Sequence, residues 1–396
     1  MSTAHLYLGG GTKWYSHAAD VFTALTDPGF AVSGCAAFST AGAYLVTGSG
    51  GSNIFIFKRT ADALSKLTVN APDLTTTSFP TVAAFSRDDT YLAVGCSSTS
   101  PYLHIYKRSG DQFFKLALPD VPPTSAVQGV RFSPDGNLLV VTTASSPYLY
   151  IYTRAGDAFA QTSNPATVPA ASTKSVFFSP DGVYMALLSG TSIFVYKWNG
   201  SAYAHLSTLA GGVSTTVIGA FSADTNYLSV AGVGSPYVAT FKRTGDSFSA
   251  LGNPDVLPTG SANSVAWSND SVHLYVGHAN SPYITIYRRS ADTFAKLANP
   301  ASLPGAAVTG IAVNPPANTV NAFGPLSGIT RDENDDPAAM TVRSHLKSTG
   351  NPVETITSDP TTGEYQLSAY SLSEHYIVIF HPTENAQILD HMIPIA

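Results

Sequence analysis

Short apolar runs alternate with polar turns along most of the chain, and the whole pattern repeats about every 46 residues. An aromatic residue followed by Ser marks each period: Phe38-Ser39, Phe85-Ser86, Phe132-Ser133, Phe178-Ser179, Phe221-Ser222 and Trp267-Ser268, at spacings of 47, 47, 46, 43 and 46. One more step lands on Val313-Asn314, inside the strand-like Gly310-Ile311-Ala312-Val313, which makes seven units. Each unit predicts four short strands. In the second, Thr81 to Phe85, Tyr91 to Gly95, Tyr102 to Tyr106 and Phe113 to Leu118 are apolar or alternating, separated by turns or loops at 87–90, 97–101 and 108–111. No amphipathic helix of useful length interrupts them. In Ser133-Pro134-Asp135-Gly136 and Ser179-Pro180-Asp181-Gly182, Pro presets φ, Asp can accept from the backbone ahead, and Gly takes positive φ.

A four-stranded antiparallel meander cannot bury both faces alone, but seven arranged radially can. The expected fold is therefore all-β, a seven-bladed β-propeller over residues 1–325. The chain starts partway through a unit: His5 to Gly9, Lys13 to His17 and Phe22 to Leu25 read as second, third and fourth strands, with Thr309 to Val313 supplying the first. Thr319 to Phe323 duplicates the second-strand position, leaving open which copy completes the ring. The Phe-Ser-Pro-Asp-Gly turn and the four-strand period resemble the WD40 propellers, although Lys107 to Asp111, Lys242 to Asp246 and Arg288 to Asp292 stand where Trp-Asp would close a blade.

From Leu326 the period is lost. Ser327 to Thr330, Ala339 to His345, Val353 to Thr357, Tyr365 to Ser368 and His375 to Phe380 predict a second domain, 326–396, a small β-sandwich. Ser327-Gly328, Arg331-Asp332, Thr349-Gly350, Thr362-Gly363-Glu364-Tyr365, Tyr376-Ile377-Val378 and the ending Asn385 to Pro394 resemble a C-terminal module of tailed-bacteriophage virion proteins, akin to the carboxypeptidase-regulatory-like sandwich. The resemblance implies a virion structural protein assembled in the host cytoplasm in multiple copies. Its partners would be other tail proteins and a host-surface glycan or protein.

Charge narrows the partners. The chain carries −6 overall; ten acids against three bases follow Leu326, leaving the propeller 17 bases and 16 acids. A neutral ring without a basic stripe argues against nucleic acid. Only 12% of residues are charged, so the surface is rich in Ser, Thr, Gly, Asn and Tyr. No run reaches membrane-span length, and the first residues lack the basic and apolar regions of an export signal. Cys35 and Cys96 sit in apolar strand contexts and read as buried hydrophobes of a reducing compartment.

Chemistry-bearing motifs are few. Asp332-x-Asn334-x-Asp336 has half the spacing of a calcium loop but lacks its Gly and its closing Glu. The ten His form no cluster, and Gly9-Gly10-Gly11 precedes no helix. Gly110-Asp111, Gly156-Asp157 and Gly245-Asp246 recur as turns, whereas catalytic pairs are unique. The expectation is a non-enzymatic protein without cofactor or metal. An enzyme would need unique ionisable residues at the central channel, and a cellular WD40-type scaffold is the alternative. One candidate binding feature remains: Ser-Pro-Tyr recurs between second and third strands, placing Tyr102, Tyr148, Tyr237 and Tyr283 on one face. They serve either as packing at the strand start or as an adaptable recognition surface.

Overall fold

The computed structural model describes residues 4–9, 13–18, 20–25, 35–48, 51–67, 76 and 78–314, and beyond them 325–329, 341–346, 352–357, 361–362, 364–368, 375–380 and 387–392. Two compact units divide the chain, Met1–Ala317 and Asn318–Ala396. The first is a seven-bladed propeller of four-stranded antiparallel sheets. Blades 1 to 6 occupy residues 36–66, 80–115, 127–162, 173–210, 215–250 and 262–296. Blade 7 joins Gly310–Asn314 to Ala4–Gly9, Lys13–Ala18 and Val21–Ala24, with Leu6 opposite Val313. The N-terminal strand thus completes the ring, and 319–323 lies outside the described residues. Tyr15 Oη donates to Ser302 O at 2.6 Å, a second tie between the two ends of the ring.

The anchor Ser has a local reason to recur. Its buried Oγ accepts the amide hydrogen five residues on, as in Tyr91 N to Ser86 (2.9 Å), Tyr184 N to Ser179 (2.8 Å) and His273 N to Ser268 (2.8 Å), which closes the first hairpin of blades 1 to 6. Within those hairpins, Asp135 accepts from Asn137 N at 3.1 Å and Asp181 from Val183 N at 3.0 Å; Gly136 and Gly182 take φ of 72° and 71°, as the turn chemistry predicts.

Apolar side chains of adjacent blades interdigitate into the core. Ala84, Tyr91 and Leu103 of blade 2 pack on Val130, Leu139 and Tyr152 of blade 3, for example. The rim adds a polar latch across most seams. Tyr91 Oη and Lys107 Nζ of blade 2 both donate to Asp157 of blade 3, at 2.7 and 2.9 Å. Tyr44 and Lys58 grip Asp111 in the same way, Tyr184 and Lys197 grip Asp246, and Tyr227 and Lys242 grip Asp292. His273 and Arg288 hold Asp20 of blade 7. Between blades 3 and 4 the matching residues are Leu138, Thr153 and the turn Asn199-Gly200, so this seam has no latch. It is apolar instead, with Leu138 against Trp198 and Tyr203.

The backbone of the second unit forms two sheets. Pro325–Ile329 pairs with Glu364–Ser368, and Pro352–Thr357, Thr341–Leu346, His375–Phe380 and Gln387–Met392 form a four-stranded sheet in that order. The expected boundary at Leu326 falls one residue inside the first of these strands. The side chains of these strands lie outside what the structure describes, and Asp332, Asn334 and Asp336 lie outside the described residues, as do Arg331, Thr349, Gly350 and Gly363 of the phage-module resemblance.

Candidate functional site at the channel mouth

Inner strands from six blades surround a cavity of about 370 Å³ at one end of the central channel. A β-bulge places its lining. In blade 3 the register passes from Val127–Thr143 to Gly129–Thr142, leaving Gln128 as the extra residue. The same slip isolates Thr81, Lys174, Val217 and Asn263 in blades 2, 4, 5 and 6. A bulge re-aims the side chain it releases from the ladder, and all five of these residues line the cavity, with Thr309 of blade 7.

Arg131 also lines it, on Val127–Phe132. Counted back from the anchors, the corresponding residues in the other blades are Ala37, Ala84, Phe177, Ala220, Ala266 and Ala312. One ring position thus carries five alanines, a phenylalanine and a single cation. The guanidinium is half-buried and has no hydrogen bond or ion pair among the described residues. Burial lowers its pKa, yet a guanidinium stays charged at any physiological pH. Gly129 lets the inner strand of blade 4 come close: a Cβ there would lie 3.0 Å from Ser175 Cα and from Val176 N. This brings Lys174 alongside blade 3. No carboxylate or imidazole occurs among the described residues lining the cavity.

The Ser-Pro-Tyr loops lie on the same face. Ser97 N bonds Phe79 O, Ala144 N bonds Ala126 O and Ala279 N bonds Ser261 O, each tying such a loop to the entrance of an inner strand. All four Ser–Pro peptides are cis, and Tyr148, Tyr237 and Tyr283 have φ of 61°, 67° and 68°. The four tyrosines are half-buried and outside the cavity lining; Tyr102, Tyr237 and Tyr283 pack on inter-blade clusters. Cys35 and Cys96 are buried, and burial pushes their thiols up to about 12 and about 11, the behaviour of inert packing residues. Gly110-Asp111 and its repeats are turns that also receive the latch of the preceding blade.

No protein-family model matches the sequence, and no curated protein matches it. Similar solved structures include a protein named a 6-phosphogluconolactonase, from Bacteroides fragilis, at 14% identity and TM-score 0.63, covering 79% of this chain and 98% of that one. The periplasmic gluconolactonase of Pseudomonas aeruginosa is similar at 17% identity and TM-score 0.62, over 80% and 99%. The Cps50 (Swd1) propeller domain of Myceliophthora thermophila is similar at 12% and 0.55, over 85% and 97%. These likenesses establish the propeller fold.

Their names also count against the expectation of a non-enzymatic virion structural protein, which rested on the tail resemblance and on the lack of a catalytic motif. Propellers this similar in shape are named as lactonases. Arg131 and Lys174 are ionisable groups at the channel, the kind of residue an enzyme on this scaffold would need there. Neither belongs to a motif: Lys174 sits at a bulge, which breaks the two-residue alternation of its strand, and Arg131 is a lone residue in the regular ladder opposite Val140. Aligning the blades on their anchors exposes Arg131 at once.

Proposed function

We propose that the chain is a hydrolase of small cyclic esters acting at the channel mouth. The observation that carries this reading is the ring of bulged residues, which turns Gln128, Lys174 and Asn263 into one cavity of small-molecule size. Lactone hydrolysis adds water: a C–O bond forms at the carbonyl carbon, the ring C–O bond breaks, and the released alkoxide takes a proton. Negative charge gathers on the carbonyl oxygen in between. The ammonium of Lys174 and the amides of Gln128 and Asn263 are donors suited to that charge, and water is the nucleophile. With no carboxylate or imidazole among the described lining residues, the site works by electrophilic stabilisation of an already activated ester.

The names of similar propellers suggest the first substrates to test. Proton release from gluconolactone and 6-phosphogluconolactone, followed at constant pH, should exceed the spontaneous rate. Lys174→Met should lower the enzymatic rate about 10²-fold, the scale for loss of one oxyanion donor. Rates equal to the uncatalysed background with both lactones would end this reading.

A further inference from the structure

We infer that Arg131, which lines the same cavity as Lys174, binds an oxyanion, so that the molecule held at the channel mouth carries a carboxylate or phosphate group. The inference rests on the reading of this cavity as the ligand site. A partly desolvated cation without a partner carries a cost to the fold unless something else compensates it. Arg131 has no partner among the described residues, and six of the seven equivalent ring positions show that an apolar side chain suffices there. The surroundings keep it unpaired. The neighbouring rim seams present Asp111, Asp157, Asp246 and Asp292, all held by lysines, whereas the seam beside Arg131 offers only Leu138, Thr153 and Asn199. Two cations therefore border a cavity with no described carboxylate, next to the amides of Gln128 and Asn263. A planar guanidinium fork and an ammonium lining one cavity suit an oxyanion with two or three equivalent oxygens.

Calorimetric titration of the full chain with inorganic phosphate and with malonate, at ionic strength held constant by chloride, tests this. Saturable binding of either is expected. Phosphate alone would assign a phosphoryl group, malonate alone a carboxylate, and both a general oxyanion seat; all three support the inference. Arg131→Met should lose at least tenfold in affinity while melting unliganded at or above the wild-type temperature. Lys174→Gln should lose several-fold. Arg131→Lys keeps the charge without the fork and should bind several-fold more weakly, a check that holds if the Met variant does not fold. No binding beyond the chloride control, or anion affinity unchanged in Arg131→Lys and Arg131→Met, overturns the inference, as does a Met variant that folds but melts well below wild type. Turnover of lactone without anion binding would leave the hydrolase reading standing and remove this one; anion binding without turnover would do the reverse.

Discussion

His104 is fully buried with neither ring nitrogen bonded to protein, at a third-strand position that is Phe55, Tyr150, Phe194, Ala239 and Thr285 in blades 1, 3, 4, 5 and 6. Burial lowers its pKa to about 4. The folded state thus holds it neutral while the unfolded chain protonates near 6.5, so its contribution is present above that pH and lost as pH falls through 4. Melting followed from pH 7 to 4 should show a decline worth about 2–3 kcal/mol from this group, and His104→Phe should remove that part, leaving the part from His278, also lowered by burial, and raise the melting temperature at pH 5. A further decline is expected below pH 4, since the latch lysines and tyrosines hold Asp111, Asp157, Asp246 and Asp292 below the usual carboxylate range, a gain lost on protonation. At this scale the sequence shows only half the story. The Gly-Asp turns are plain in it, but that each serves the preceding blade depends on contacts 49 to 67 residues apart.

Strands and turns were the most legible level, because apolar alternation and Pro-Asp-Gly punctuation act locally. The differences have local causes too. The third strand of blade 3 begins at Leu149, and Tyr148, with φ of 61°, lies outside the ladder. The inner-strand bulges were not legible, since an added residue looks like ordinary sequence until the register is known. Gly129 is where these strands are least forgiving. Gly129→Ala would drive a methyl to 2.5 Å from Thr142 Oγ1 and against the blade 4 backbone, which cannot yield cheaply. A loss of about 1–3 kcal/mol in chemical denaturation is expected, as for other overpacked sites, with weakened ligand binding because Lys174 is displaced.

For the whole molecule, period and missing first strand together specify a closed ring, and the register of Leu6 with Val313 realises it. Removing residues 1–26 takes three of four strands from blade 7. The truncated chain should melt about 10 °C or more below the full chain and scatter as a more open particle; an unchanged melting curve would mean the ring closes by other means. Function was not legible at this scale. A repeat announces the scaffold, whereas the site lies in the single departures from it, Arg131 among five alanines and one phenylalanine.

The missing latch between blades 3 and 4 makes that seam a natural place to divide the molecule. Asn164 donates to Leu149 O of blade 3, and Thr167 O accepts from Tyr196 of blade 4, so a break between Pro165 and Ala166 leaves each end anchored to its own side. Fragments 1–165 and 166–396 would then be complementary halves, one exposing the edge of Ala4–Gly9 and the other carrying Gly310–Asn314 to fill it by strand addition. Co-expressed, they should purify together and recover the anion affinity of the intact chain, with Arg131 and Lys174 supplied by different polypeptides.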